Sequence, residues 1–303
     1  MEISNTVSAK HSAFRFSHQA MATVHEIFIR HNDQRYARQA SQEAFFLLDR
    51  LEHDLSRFIG NSDISSIDHL TQNEKRRIGP DTFACLKRCA ELCEQTNGAF
   101  DITVGSLMEL WLDENKNLRH PSAQAIAAAK QLIGFHHLQL NEADCSVTRI
   151  GNPVKLDLGG FGKGYAVDRM AEILTEWEIE DFLIHGGQSS VLARGDSEET
   201  EGWLVSISDP FKQNQFIENI MLKNQAMSGS GMQKGYHLID PRTARPVEKA
   251  GAAWVIGDNA AICDALSTAF LIMSHHEVES YCATHPEIKV MLLFQNQKML
   301  KFG

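Results

Sequence analysis

The chain has 303 residues, which is enough for one large domain or two small ones. Its hydrophobic content of 43% and charged content of 22% are typical of a globular protein, and 39 acidic against 29 basic residues give a net charge of −10. This balance argues against a nucleic-acid binder, which needs a basic face. Any bound polyphosphate must therefore be neutralised by a cation or by a few well-placed basic side chains.

The six cysteines contain no Cys-x-x-Cys pair, which argues against a zinc ribbon or a thioredoxin-type site. Cys85, Cys89 and Cys93 recur every four residues, so we expect small apolar side chains on one helical face, with a metal site or redox sensor as the alternative. Free thiols fit a reducing compartment. Residues 1–20 show neither a signal-peptide core nor a membrane span. We therefore expect a polar, irregular extension at 1–20 and a cytoplasmic protein.

Hydrophobic periodicity predicts alternating helices and strands along the rest of the chain. The predicted strands lie at 21–30, twice within 135–155, at 155–158, on both sides of a Gly-Gly turn within 181–195, and at 202–210, 251–257 and 289–295. The predicted helices lie at 35–52, 80–93, 106–112, 122–130, from the glycine-rich turn to about 179, and at 262–273 and 275–284. Small or polar residues predict a loop before a short helix start within 55–68, a loop at 227–231 and a turn at Pro-Arg-Thr within 236–247.

The stretch 155–170, KLDLGGFGKGYAVDRM, is predicted to run from a short strand through a glycine turn into a helix. Gly159 and Gly160 allow backbone N–H groups to approach an anionic group closely. Lys163 adds a point charge that suits phosphate. Asp157 is not explained by phosphate binding and suggests a metal ion or a polar ring system nearby. A tight turn without a ligand is the alternative.

The apolar helix predicted at 262–273 carries Asp264 and Thr268 one turn apart on the same face. A buried carboxylate is costly unless it is paired or binds a cation, and hard oxygen ligands suit Mg²⁺ with phosphate completing its shell. The alternative is a helix-capping Asp264 and a Thr268 hydroxyl bonded to a backbone carbonyl. His237 is a general base, a ligand contact or a structural residue. Phe58, in a polar loop, is either exposed or part of the core.

Eight stretches carry a family resemblance, namely MAT (21–23), SRFxxNSDIS (56–65), GAFDITVG (98–105), LDLGGFGKGYAVDR (156–169), HGGQSS (185–190), SGSG (228–231), YHLIDPRTARPV (236–247) and CDALSTA (263–269). In this order they resemble the FAD:protein FMN transferase family, also called the ApbE family. The resemblance implies one domain over 21–303 and an α+β fold, with mixed sheets, flanking helices and a ligand cleft in a T-fold-type architecture.

The resemblance also implies an activity. FAD would be a substrate, and Mg²⁺-dependent transfer would place its FMN moiety on a threonine or serine hydroxyl of an acceptor protein, with release of AMP. Two alternatives are Mg²⁺-dependent hydrolysis of FAD to FMN and AMP, and a flavin-binding protein without turnover. Retention of Lys163, Asp264 and Thr268 argues against the last. We expect no nucleic-acid partner and no membrane segment. Many family members are exported, and a leader is not evident here.

The family's site residues map onto this sequence position by position. Magnesium would be held by the Gly160 carbonyl and the Asp264 and Thr268 side chains. The implied FAD contacts are Met21, Phe58, Ala99, Phe100, Asp101, Asp157, Lys163, His237 and Leu238. The candidates for the catalytic base are Asp157 and His237. The sequence departs from the family at several positions, with Phe58 for Tyr, Gly162 for Ala and Ala244 for Gly, and the changes at Gln188 and Ser230 bear on acceptor recognition.

Overall fold

The computed structural model describes residues 13–115, 117–187, 189–212, 215–231, 238–247 and 251–303. Its helices are α1 Gln34–Leu55, α2 Asp63–Asp68, α3 Pro80–Gln95, α4 Gly105–Trp111, α5 Ala123–Lys130, α6 Gly162–Glu176, α7 Ala260–Ile272 and α8 His275–Thr284. Its strands are β1 Phe14–Ala20, β2 Thr23–Ile29, β3 Lys75–Arg77, β4 Leu138–Asn141, β5 Ser146–Arg149, β6 Phe182–Gly186, β7 Ser190–Arg194, β8 Trp203–Ser208, β9 Phe216–Leu222, β10 Gln225–Gly231, β11 Ile239–Asp240, β12 Arg245–Pro246, β13 Gly251–Gly257, β14 Lys289–Phe294 and β15 Met299–Phe302.

An eight-stranded antiparallel sheet in the order β1-β2-β6-β7-β10-β13-β14-β15 is the centre of the fold. Because side chains alternate between the two faces of a strand, the six inner strands from β2 to β14 contribute to two cores. One face packs against α1, α6 and α7 in the main hydrophobic core. The other face packs against the β8–β9 hairpin around Trp203 and Val205. This places α6 and α7 side by side on one face of the sheet.

The helices that carry the site begin with identifiable signals. In α1, Phe45, Leu48 and Leu51 are buried as the periodicity predicts, and Asp33 caps the helix by accepting from two backbone N–H groups. The helix α7 is buried almost all round, and its cap is Asn259, whose side chain accepts from the Ile262 N–H. Such an all-round apolar helix has to lie between other elements.

Three predictions about local structure are wrong. Within the segment predicted to be irregular, 14–20 forms the edge strand β1, because Phe14 and Phe16 alternate with polar residues and pack on the core. The stretch 227–231 lies in strand β10 rather than in a loop, since its small residues allow neighbours to approach closely. A Cβ atom on Gly229 would lie 2.6 Å from the Trp254 ring. The stretch 155–158 is extended but makes only an isolated bridge.

The cysteines behave as the spacing predicts, with Cys85 and Cys89 buried on one face of α3 and Cys93 half-buried. Burial raises the pKa of all three thiols, so they are poor nucleophiles. In the described part of the chain, every helix is too short or too polar to cross a lipid bilayer.

Candidate functional site

The glycine turn is held by backbone bonds that lead directly into α6. The Leu158 carbonyl accepts from the Phe161 N–H at 2.9 Å and from the Gly162 N–H at 2.8 Å. The Lys163 ammonium folds back and donates to the Gly159 carbonyl at 3.0 Å. A helix N-terminus carries a partial positive charge from its unsatisfied amides. The turn therefore combines a lysine charge with the positive end of a helix, which is an arrangement suited to a phosphate.

Two side-by-side contacts fasten α6 to the start of α7. A Cβ atom on Gly164 would lie 2.3 Å from the Ala260 carbonyl oxygen, so the helices approach as closely as they do only because this residue is glycine. One turn further along, the Asp168 carboxylate accepts from the N–H groups of Ala260 and Ala261, each at 2.8 Å. Burial raises the pKa of Asp168 to about 7, while these two N–H groups lower it.

Around this contact, Asp264 and Thr268 on α7 lie close to the glycine turn. The Gly164 N–H donates to Asp264 Oδ2 at 3.2 Å, and the Asp264 side chain is only 2% exposed. Across the same contact, a Cβ atom on Gly160 would lie 3.0 Å from Thr268 Oγ1. Burial raises the pKa of the Asp264 carboxyl, and the Lys163 charge and the Gly164 N–H lower it. The glycine turn, the carboxylate and the hydroxyl thus meet at one place.

The chemistry of this donor set fits a magnesium ion that also binds phosphate. Asp264 does not cap α7, because the N-cap residue is Asn259. Among the described residues, nothing donates to the Oδ1 atom of Asp264. Over the same residues, no cluster of three or more His, Cys, Asp or Glu side chains could hold a metal alone. One carboxylate, one hydroxyl and one carbonyl leave coordination positions for phosphate oxygens and water, as Mg²⁺ prefers.

Asp157 lies at the edge of the turn and is engaged at both oxygens. Oδ1 accepts from the Gly159 N–H at 2.8 Å, and Oδ2 lies 3.3 Å from an Arg57 nitrogen. The Arg57 guanidinium also lies 4.9 Å from the centre of the Phe58 ring, which is 85% exposed. Phe58 is therefore not part of the core, and its ring is accessible to a planar ligand. Arg57 was not among the predicted site residues, although it directly precedes this aromatic residue in the SRF motif.

The predicted contacts at 99–101 run beside the turn, with the Asp157 N–H donating to the Ile102 carbonyl at 2.7 Å. Their side chains are buried. Asp101 accepts from the Thr103 N–H at 2.8 Å and from the Thr103 hydroxyl at 2.7 Å, and burial raises its pKa. A ligand at this edge would therefore meet mainly the backbone of the segment.

The remaining predicted contacts are less closely tied to the turn. Met21 has the unusual φ of 51°, and its N–H donates to Glu52 Oε1 at 2.6 Å, so the described contacts link it to α1. The Leu238 carbonyl accepts from the Val247 N–H at 2.9 Å within the hairpin that contains β11 and β12. The candidate base His237 lies outside the described residues, as does Gln188.

Two polar groups in the sheet beneath α6 and α7, Ser230 and His25, have surroundings that were not predicted. Ser230 lies 3.2 Å from the Thr268 hydroxyl. Strand alternation would have placed Ser228 and Ser230 on one face of β10, but it would not have identified Thr268 as the neighbour. His25 is fully buried beside Gly186 and Val167, and the described residues offer no hydrogen-bond partner to either ring nitrogen. Burial, reinforced by the Lys163 charge, lowers the pKa of His25 to about 4.

A groove of about 440 Å³ lies elsewhere, between the end of α3 and α8. It is lined by Asn97, Glu277 and Tyr281 among others, and none of the predicted site residues lines it. This groove therefore lies away from the place where the charged and hydrogen-bonding groups converge. The convergent chemistry at the glycine turn is the better guide, because the function of a site depends on the groups that it presents.

The geometry defines an α+β protein whose glycine-rich helix start faces a carboxylate and a hydroxyl on a second helix. The sequence profile of the ApbE family matches residues 21–292. The chain belongs to the ApbE family. Both the family resemblance and the α+β fold class predicted from the sequence are confirmed.

Curated relatives in this family carry the name FAD:protein FMN transferase. The Klebsiella pneumoniae protein is 30% identical over 200 residues, which cover 61% of this chain and 57% of that protein. The Chlamydia muridarum protein is 27% identical over 245 residues, which cover 77% of this chain and 75% of that protein. The Salmonella typhimurium protein is 25% identical over 293 residues, which cover 92% and 83%.

Solved structures agree with the fold. The ApbE protein from Thermotoga maritima has a TM-score of 0.85 and 25% identity, with 96% of this chain and 97% of that chain covered. The flavin transferase ApbE from Vibrio cholerae has a TM-score of 0.85, 21% identity and 97% coverage of both chains. At that lower identity the second likeness concerns the fold alone.

Proposed function

We propose that this protein catalyses the Mg²⁺-dependent transfer of the FMN moiety of FAD to a threonine or serine hydroxyl of an acceptor protein, with release of AMP. The observation that carries the proposal is the meeting of the glycine turn and Lys163 with Asp264 and Thr268. The relatives named FAD:protein FMN transferase support the same reaction. Membership of a family of transferases makes turnover the expectation rather than storage of a flavin.

The Gly160 carbonyl, the Asp264 carboxylate and the Thr268 hydroxyl would hold the magnesium ion. When bound, the ion supplies neutralisation of the pyrophosphate and of the charge that develops on the leaving AMP. Lys163 and the first amides of α6 add positive charge on the other side of the same turn. Because the carboxylate is buried, its attraction for a cation is screened less by water than that of a surface carboxylate.

The transfer forms one bond and breaks one bond at the same phosphorus. The acceptor oxygen bonds to the FMN phosphorus, and the bond from that phosphorus to the bridging oxygen breaks, so that AMP leaves with this oxygen. The proton of the acceptor hydroxyl passes to a base. Both Asp157 oxygens are already engaged, Oδ1 by the Gly159 N–H and Oδ2 by Arg57, which favours a role in holding FAD. His237 is then the stronger candidate for the base.

The flavin end would be held beside the turn. The exposed Phe58 ring and the Arg57 guanidinium offer two flat surfaces that can stack on an isoalloxazine ring. The backbone of 99–101 borders the same region through its contact with the turn, and we propose Met21 and Leu238 as further contacts. Replacement of the family's tyrosine by Phe58 retains the stacking surface and removes one hydroxyl.

One assay separates the possible activities. The protein is incubated with FAD, Mg²⁺ and a candidate acceptor, and AMP release is measured together with flavin fluorescence of the denatured acceptor on a gel. A fluorescent acceptor and AMP in matching amounts support transfer. AMP and free FMN without a labelled acceptor, across a panel of acceptors, would indicate hydrolysis. FAD that stays intact under all conditions would overturn the proposal. Samples with EDTA and with Asp264→Asn test the requirement for the metal.

A further inference from the structure

Three hydroxyl groups form a row beside the proposed metal site. Thr268 Oγ1 on α7 lies 3.2 Å from Ser230 Oγ on β10, and Ser230 Oγ lies 2.7 Å from Ser267 Oγ. Ser267 Oγ in turn donates to the backbone carbonyl of Asp264 at 2.8 Å. The row therefore begins at one proposed ligand residue and ends at the main chain of the other.

Counting protons fixes the direction of each bond, because a hydroxyl group has only one hydrogen to donate. A carbonyl only accepts, so the Ser267 hydrogen points to the Asp264 carbonyl. Ser230 must then donate to Ser267, and Thr268 must donate to Ser230. With its hydrogen directed at Ser230, Thr268 Oγ1 can offer its lone pairs to a cation beside Gly160, and no described residue donates to this oxygen.

The row also prevents the hydrogen bond that a threonine side chain in a helix ordinarily makes to its own helix backbone. A threonine within a helix tends to donate to the carbonyl four residues earlier, which for Thr268 is that of Asp264. That carbonyl accepts the Ser267 hydroxyl and, as part of α7, the helical N–H of Thr268, which together use both of its lone pairs. Among the described residues, Ser230 Oγ is the hydrogen-bond partner of the Thr268 hydroxyl.

We propose that Ser230 is a positioning residue that aims the lone pairs of Thr268 at a divalent cation. This inference rests on the proposed function, because it assumes that Thr268 is a ligand. Ser230 is well placed for the task, since β10 is an inner strand of the sheet and Ser230 is held in register opposite Ala253. Ser267 is fully buried, and hydrogen bonds in such surroundings strengthen one another. Partners outside the ligand shell commonly control metal affinity in this way.

The test measures metal binding directly, with Mn²⁺ as a paramagnetic probe that replaces Mg²⁺. Free Mn²⁺ is counted by electron paramagnetic resonance during titration of the protein with FAD present and no acceptor. We expect Ser230→Ala to raise the Mn²⁺ dissociation constant by roughly tenfold. Ser228→Ala is the matched control, because Ser228 lies two residues away on the same face and bonds to the Ala260 carbonyl instead. It should leave the constant unchanged. Ser230→Thr, which restores a hydroxyl, should recover most of the affinity.

The outcomes are distinguishable. Weaker Mn²⁺ binding in Ser230→Ala alone, with rescue by Ser230→Thr, supports the inference. Equal Mn²⁺ affinity in Ser230→Ala and the wild type overturns it, even if the melting temperature falls, because a merely structural hydroxyl would change stability and not affinity. If the wild type binds no Mn²⁺ and releases no AMP, the proposed function itself fails, and the inference fails with it.

Discussion

Replacement of Gly164 by alanine tests the close contact between α6 and α7 that assembles the site. The new Cβ atom would lie 2.3 Å from the Ala260 carbonyl oxygen and 2.7 Å from Ala261 Cα, so the helices have to separate by about 1 Å. Overpacking of this kind costs about 1–3 kcal/mol. Loss of the N–H bond to the Asp264 carboxylate costs about 1.5–3 kcal/mol. The higher helix propensity of alanine offsets at most about 1 kcal/mol of this loss.

The expected net loss is about 2–5 kcal/mol in the free energy of unfolding, which corresponds to roughly 3–8 °C in melting temperature for a chain of this size. Urea unfolding and the Mn²⁺ titration described above measure the two consequences. Gly162→Ala is the matched control, because its Cβ atom would meet only Leu158 Cβ at an ordinary 3.9 Å. If Gly164→Ala unfolds and binds Mn²⁺ like Gly162→Ala, the proposed contact between the helices is incorrect.

Three further substitutions test separate features. Ala22→Gly should stabilise the protein by about 1 kcal/mol, because Ala22 is exposed at a φ of 57° that suits glycine. Asp168→Asn should destabilise it by about 2 kcal/mol and weaken Mn²⁺ binding, since an amide cannot accept from both N–H groups of α7. His25→Gln should remove part of the acid sensitivity. Because folding lowers the pKa of His25 from 6.5 to about 4, the unfolded chain binds the proton first as the pH falls, and the wild type should lose about 2 kcal/mol relative to the variant between pH 7 and pH 5.

Each of these predictions has its own control. Ala127→Gly, at an exposed helical position, should destabilise the protein, and an equal loss in Ala22→Gly would show that the turn is not strained. Asp63→Asn removes a carboxylate that similarly holds the start of α3, and it should lower stability without changing Mn²⁺ affinity. A parallel pH dependence of stability in His25→Gln and the wild type would mean that His25 titrates normally in the folded protein.

The sequence was informative where a periodic pattern and a start signal agreed. The helix α1 and the strand β13 lie where alternation or helical spacing predicts them, and the glycine-rich stretch does open α6. The strand β10 was missed because serine and glycine are ordinary turn residues, and in this protein they are used to let α7 and Trp254 pack closely on the sheet. That role depends on neighbours distant in sequence, which local propensity does not contain.

In the candidate site, too, the sequence predicts local motifs but not the contacts between them. The motifs around Lys163 and Asp264 are visible in the sequence, but their contact through Gly164 depends on how two helices pack. The contacts of Arg57 and Ser230 could not be predicted, because their partners, Asp157 and Thr268, are far away along the chain. Such side-chain pairs form only in the tertiary structure. A single sequence therefore indicates the residues of the site but not the contacts between them.

The most direct measurement is a crystal structure of the protein with FAD and Mn²⁺, in which the anomalous signal of manganese locates the cation. We predict a peak within about 2.3 Å of an Asp264 carboxylate oxygen, Thr268 Oγ1 and the Gly160 carbonyl oxygen, with oxygens of the FAD pyrophosphate completing its coordination. A manganese peak at another place would contradict the proposed mechanism. So would a bound FAD whose pyrophosphate has no cation between Asp264 and the glycine turn.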